Sequence, residues 1–290
     1  MKSSNKVLLI AGVAIFVGIV STIVYTQYHH KSFGDALWGG PSDMMSPFDS
    51  DKIRMGDGKM VAVTKSLSSF RGINVAGLVD VVVKRGDKNK LTMRADKNLL
   101  PYIRASVKDG QLDIGSHRGI NIHPSQPIEV TVISPSLKLS HITMGGKTTL
   151  KISNMQTDQL IVDLGGRNSA NLSGNIKNAT FNLGGKSTLT FKDPDAKSLL
   201  FHVGGEADLN LAGTVDNLEI QVGGRSDIMA KKLMAKNVIL TGAGYSNLTV
   251  HVLQSLNVTA IGRVRLNYYG NPSSIHKTGF GDISIQKVES

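Results

Sequence analysis

From residue 137 onward apolar and polar residues alternate in short runs, and the runs recur. Aligned on the second glycine of each pair, Gly146, Gly166, Gly185, Gly205, Gly224, Gly244 and Gly262 lie 20, 19, 20, 19, 20 and 18 residues apart, and Gly279 reads as a degenerate eighth after a step of 17. Four residues before each glycine stand Ile142, Val162, Phe181, Phe201, Ile220, Leu240 and Val258, and two before it Met144, Leu164, Leu183, Val203, Val222, Gly242 and Ala260. Polar residues such as Asp163, Asn182, His202 and Gln221 separate the two sets. This is the two-residue period of a strand with one buried face. It restarts after the corner, with Leu150, Ala170, Leu189 and Leu209 at plus four and Ile152, Leu172, Phe191 and Leu211 at plus six. A looser third segment, for example "SGNIKN", closes each repeat and adds one apolar residue such as Met155, Ile176 or Val215.

One such unit cannot bury its apolar face alone, but units stacked at the strand spacing form a continuous core and pair every strand with its neighbours. The predicted fold is therefore all-β: a parallel β-helix of about 20 residues per coil, right-handed by the usual preference of parallel crossovers. A leucine-rich horseshoe would need its Leu and Asn signature and a helical side, and neither is present. Residues 61–136 are also strand-rich, in "FRGINVAGLVDVVVKRG", "KLTMRAD" and "IEVTVIS", and Gly77-Leu78-Val79-Asp80-Val81 copies the spacing of Gly205-Glu206-Ala207-Asp208-Leu209. They are expected to form the first irregular coils and a cap, with "DKNLLPYIR" a short helix or crossover interrupted by Pro101. Residues 137–290 are expected to form the regular coils.

Val7 to Tyr25 is a 19-residue stretch without charge, long enough as a helix to cross most of a hydrocarbon layer of ~30 Å. Lys2 and Lys6 precede it, which favours a cytoplasmic amino terminus and a single-pass anchor that sends the rest outside the cytoplasm. A cleaved signal peptide is the alternative, although "YTQYHHKSFGDALW" offers no convincing small-x-small site. The expected division is a cytoplasmic stub and anchor at 1–31, a flexible linker at 32–60 and the β-solenoid at 61–290. The expected location is the membrane, with the domain in the periplasm or on the cell surface.

Composition narrows the chemistry. The 290-residue chain has no cysteine, which excludes disulfides, zinc-thiolate sites, thiol catalysis and an amino-terminal lipoprotein anchor. Thirty-one glycines and 5% aromatic residues suit a turn-rich β architecture. "TFNLGGKSTLTF" resembles a phosphate-binding loop, but the glycine required five positions before Gly-Lys is Thr180, and in the sister stretch "HITMGGKTTL" it is His141. The glycines are better explained by a corner that needs positive φ or close backbone approach. The eight histidines show no ligand spacing, and the sequons at Asn171, Asn178, Asn247 and Asn257 are by-products of Asn- and Thr-rich outer faces. No cofactor is implied.

From residue 61 onward 27 lysines and arginines face 17 aspartates and glutamates, a net charge of +10. Five of seven residues directly after the corner glycine are basic: Lys147, Arg167, Lys186, Arg225 and Arg263, interrupted by Glu206 and Tyr245. In a solenoid they would form a ladder along one edge, able to follow an anionic polysaccharide or envelope polymer, or to meet a protein partner. The alternative is a solvated edge whose repulsion deters association. Nucleic acid fits poorly, because base-stacking aromatics are lacking. At plus three stand Thr149, Ser169, Thr188, Asp208, Asp227, Asn247, Arg265 and Asp282, whose short oxygen-bearing members suit corner capping. Asp208 and Asp227, with Glu206 nearby, could also hold calcium or act as the carboxylate pair of a polysaccharide-cleaving β-helix enzyme.

"SFRGINVAGLVDVVVKRGDKNKLTMRAD", then "VKDGQLDIG", then corner repeats of the Gly-x-x-Asp-hydrophobic type resemble the GIN-domain family of autotransporter-adhesin heads, with Gly72-Ile73-Asn74 in the expected place. The resemblance spans residues 66–290. It implies a bacterial, exported, often membrane-attached β-solenoid without established catalytic residues. The absence of cysteine departs from the lipoprotein members, so attachment would rest on residues 7–25. The expected function is a non-catalytic, membrane-anchored binding or adhesion module. A polysaccharide-degrading enzyme and a structural or signalling envelope component are the rivals.

Overall fold

The computed structural model describes residues 53–289, so the expected anchor at 7–25 lies outside the described residues. Among the described residues no helix is long and apolar enough to cross a membrane. The chain forms β1 (Ile53–Met55), β2 (Met60–Ser66), β3 (Gly72–Arg85), β4 (Lys90–Asp96), β5 (Ile103–Lys108), β6 (Gln111–Ser116), β7 (Asn121–His123) and β8 (Ile128–Ser134). Six long strands follow: β9 (His141–Leu164), β10 (Arg167–Leu183), β11 (Lys186–Val203), β12 (Glu206–Val222), β13 (Arg225–Tyr269) and β14 (Ser274–Lys287).

β9 to β14 stack in parallel, each coil over the next, as a β-solenoid. The register follows the repeat: Arg167 pairs with Lys147 and Lys186, and Glu206 with Lys186 and Arg225. The inward columns are sealed. Ile142, Val162, Phe181, Phe201 and Ile220 have no exposed surface, and the plus-four and plus-six columns are buried except for half-buried Tyr268. Phe181 and Phe201 stack with centroids 4.6 Å apart, and Phe191 tilts against Phe181 at 5.4 Å.

The glycine pair divides its work between two positions. A Cβ on Gly146 would come within 2.8 Å of the Gly77 carbonyl oxygen and 2.9 Å of its nitrogen. On Gly166, Gly185, Gly205 and Gly224 it would likewise meet the corner backbone of the preceding coil. The first position is open. A Cβ on Gly204 meets nothing within 4 Å, and later coils carry Ala243, Ile261 and Phe280 there. Close packing of main chain on main chain at the second glycine thus sets the register. It also corrects the last coil: Gly262 pairs with Gly281, and Gly279 lies beside Ala260. The 17-residue step misled because Gly279 is also crowded by backbone, that of Ala260.

The first coil begins inside the region expected to be irregular. Gly72-Ile73-Asn74 opens β3, which pairs with β9 from Gly72–His141 to Val83–Ile152, so Gly77 heads the corner column over Gly146. On its other side the two halves of β3 are covered separately, by β6 before the corner and β8 beyond it. Antiparallel β4 and β2 continue outward from β8, and β5 pairs with β6. "KNLLPY" is a 3-10 helix that contains Pro101 and buries Leu99.

Residues 53–58, placed by sequence in the linker, are fastened to this cap. β1 pairs with β7, and Asn98 donates to the Met55 carbonyl at 2.7 Å. Asp96, fully buried, accepts from the Gly58 N–H at 2.8 Å, the Ser125 N–H at 2.9 Å and the Ser125 hydroxyl at 2.6 Å. Burial pushes its carboxyl up, but these hydrogen bonds favour the charged form more and hold it below the ordinary value of 3.8.

At the opposite end β14 pairs only with β13 among the described strands. Its inward column includes half-buried Ile283 and Ile285, but the place below buried Val258 is taken by Lys277, whose ammonium donates to the Ile283 carbonyl at 2.6 Å.

Two predictions follow from this packing. Gly205→Ala should lower the midpoint of thermal unfolding by the equivalent of more than about 1 kcal/mol, because its Cβ falls on backbone. Gly204→Ala should be neutral, and Gly242→Ala, whose Cβ would make ordinary contacts with Val264 and Leu240, should stabilise by roughly 0.4–1 kcal/mol. In acid, the depressed carboxyl of Asp96 contributes stability that is complete above its unfolded value and is lost as pH falls through its folded one. Protection of the Gly58 and Ser125 amides against hydrogen exchange, relative to their intrinsic rates at each pH, should therefore fall below the ordinary carboxylate range, and Asp96→Asn should lower it at neutral pH as well.

Candidate functional site

Because plus two, plus four and plus six face inward, plus one, plus three and plus five face out. Lys147, Arg167, Lys186, Glu206 and Arg225 stand in register along one edge, a strand spacing apart. The ladder expected from sequence exists, but its charges are not equally free. Lys186 is paired with Glu206 at 2.9 Å, and Arg263 with Asp282 at 3.3 Å. Asp282 was assigned to plus three by the alignment on Gly279; register against Gly281 moves it to plus one, facing Arg263.

Tyr245 occupies the coil between Arg225 and Arg263. Its ring centroid lies 5.4 Å from the first guanidinium and 6.0 Å from the second, within cation–π range of both. Arg265, at plus three, approaches the Tyr245 hydroxyl at 3.5 Å. Farther along the same coils the Lys231 ammonium lies 4.2 Å from the Tyr269 centroid, and His251 packs against that ring at 6.4 Å.

The carboxylates considered for calcium or catalysis are placed as follows. Asp208 and Asp227 are register neighbours, Asp227 accepts from Asn247 at 2.9 Å, and Glu206 is held by Lys186. Among the described residues no group of three or more His, Asp or Glu converges as a metal-ligand set.

Three polar features escaped the sequence reading. Beneath the ladder, at plus two, Thr148, Asn168, Ser187, Ser226 and Ser246 are buried. Asn168 accepts from the Thr148 hydroxyl at 2.6 Å and donates to the carbonyls of Gly165 at 2.7 Å and Met144 at 3.3 Å, while Ser187 donates to Gly184 at 3.2 Å. These side chains satisfy corner carbonyls that leave the strand ladder. The hydroxyls of Ser226 and Ser246 have no partner. The signal was a small polar residue two after almost every corner.

The face before the corner carries the second feature. His141 Nε2 lies 3.1 Å from Asp163, which accepts from Asn182 at 2.7 Å; His202 meets Gln221 at 3.1 Å, and Gln221 donates to Glu219 at 2.7 Å. His141 and His202, two of the eight histidines without ligand spacing, are thus members of a half-buried polar column. The third is a stacked ladder in which Asn237 donates to Asn217 at 3.1 Å and Ser255 to Asn237 at 2.8 Å.

The sequence family described as "Putative auto-transporter adhesin, head GIN domain" matches residues 69–272. No curated protein matches the chain. Among solved structures, a "putative adhesin" from Parabacteroides distasonis superposes with a TM-score of 0.72 at 18% identity, covering 81% of this chain and 100% of that one. A "putative lipid binding protein" from the same species gives 0.70 at 21% identity, covering 82% and 100%. A "putative adhesin" from Parabacteroides merdae gives 0.66 at 17% identity, covering 82% and 99%. At these identities the likeness concerns the fold.

The corner polar set yields its own test. Asn168→Ala orphans buried groups and should cost about 1–3 kcal/mol in urea unfolding. Ser246→Ala removes a hydroxyl that bonds nothing, so its midpoint should stay the same or rise.

Proposed function

The chain belongs to the head GIN domain family, and from that premise we propose that its solenoid is an extracytoplasmic, non-catalytic binding module of the adhesion type. It engages anionic polysaccharide or another anionic polymer of the cell envelope, or the acidic face of an envelope protein. Val7 to Tyr25 holds it to the cytoplasmic or inner membrane, and the segment before β1 sets its reach.

The observation that carries this reading is the edge at plus one. Lys147, Arg167, Lys186 and Arg225 project from a main chain that cannot slip, because each corner glycine rests on the one below. Each exposed contact is worth at most about 1 kcal/mol. A rigid row supplies several at once with no main chain left to order, so weak contacts add along a repetitive ligand. Two of the three carboxylates weighed for cleavage favour a binding edge instead: Glu206 is bound to Lys186 and Asp227 to Asn247. The adhesin names of two of the structural relatives agree with such a role.

Replacing Lys147, Arg167, Lys186 and Arg225 together by Gln should leave the fold intact and weaken retention on acidic glycans or isolated envelope by about ten-fold or more at low salt. Added salt should weaken the wild type in the same direction. Unaltered retention by the fourfold variant would overturn the reading.

A further inference from the structure

The edge is not uniform, and the difference lies in aromatic rings. The described residues contain four tyrosines, and three of them, Tyr245, Tyr268 and Tyr269, belong to the last coils of β13. In the coils led by Lys147, Arg167 and Lys186 the outward positions are Lys, Arg, Thr, Ser and Asn alone. In the coils led by Arg225, Tyr245 and Arg263 the grid of outward positions holds Tyr245, Arg265, the carboxylate of Asp227 and Met229 with 56% of its surface exposed, and farther along, at plus seven, Lys231 and the partly exposed Tyr269.

This grid has the two elements that recognition of an acidic sugar requires. Flat apolar surface takes the C–H face of a pyranose, and guanidinium forks take a carboxylate in bidentate fashion. Tyr245 also sets a distance. Arg225 and Arg263 are two coils apart, ~10 Å along the stack at the usual strand spacing, and the ring between them lies within cation–π range of both. Both guanidiniums are drawn to that ring, and Arg263 is also paired with Asp282 at 3.3 Å, an exposed pair that a ligand carboxylate can replace; the two arginines thus offer two anion sites at the interval of their coils. That interval matches the advance of an extended polysaccharide over a disaccharide, not over a single sugar.

Deepening the binding role proposed above, on which it rests, we propose that Arg225, Tyr245, Arg263 and Arg265 form a saccharide site for an acidic polysaccharide that carries one carboxylate per disaccharide. Lys147 and Arg167, without rings beside them, add only unspecific attraction.

The test compares two polymers on the full chain by affinity electrophoresis. Hyaluronan bears one carboxylate per disaccharide and polygalacturonate one on every sugar. Wild type should bind hyaluronan more tightly per chain length despite its lower charge density. Arg225→Gln with Arg263→Gln should weaken hyaluronan about ten-fold or more. Tyr245→Leu, which keeps every charge, should erase the preference between the polymers. Lys147→Gln with Arg167→Gln should reduce both polymers equally and mildly. If polygalacturonate is preferred by wild type, or Tyr245→Leu leaves the preference intact, the spacing argument is wrong while the binding role stands. If hyaluronan affinity falls with the Lys147 and Arg167 pair and not with the Arg225 and Arg263 pair, the site is misplaced. If neither polymer binds and isolated envelope is not retained either, the underlying role fails and this site with it.

Discussion

Everything in this molecule depends on how closely two main chains can approach at a corner. At the second glycine of each pair a coil turns while resting on the turn below, and the space for a side chain is filled by the neighbour's carbonyl and amide. That contact is made by backbone alone, so it is indifferent to what the strands carry elsewhere. It fixes which residue of one coil lies over which residue of the next. The outer columns, whether charged, amide or aromatic, are consequences of that one steric rule combined with the alternation of strand side chains.

Much of this was legible in the sequence because two periods are superimposed, one of two residues and one of about twenty. Columns such as Ile142 to Val258 could be read inward before any coordinates. What could not be read were features that break or sit between those periods. Gly279 and Gly281 both satisfy a glycine pattern, and only pairing with Gly262 decides between them. Asn168 and Ser187 look like surface residues in a list of polar side chains, but turn inward to meet corner carbonyls. Asp96 lies outside the repeat altogether, and its role requires knowing that Gly58 and Ser125, distant in sequence, converge on it.

The candidate site was legible as a row of basic residues and illegible as an arrangement of unequal members. Spacing alone cannot show that Lys186 is engaged by Glu206 and Arg263 by Asp282, while Arg225 and Arg263 also lie near one tyrosine ring. Register turns a count of positive charges into a pattern in which Lys186 and Arg263 are paired and the rings lie toward one end. It is this unevenness, and not the net charge of the domain, that gives the edge a direction.

A solenoid has no inherent length, since any finished coil is a template for another. Lys277 interrupts that logic from within: it stands in a column otherwise occupied by residues such as Val258, and its ammonium lies against the Ile283 carbonyl at the mouth of the core. An additional turn, from this molecule or another, would have to strip water from that cation before gaining any contact. In that column the protein sets a desolvation penalty against further stacking, where the rest of the solenoid offers an apolar step.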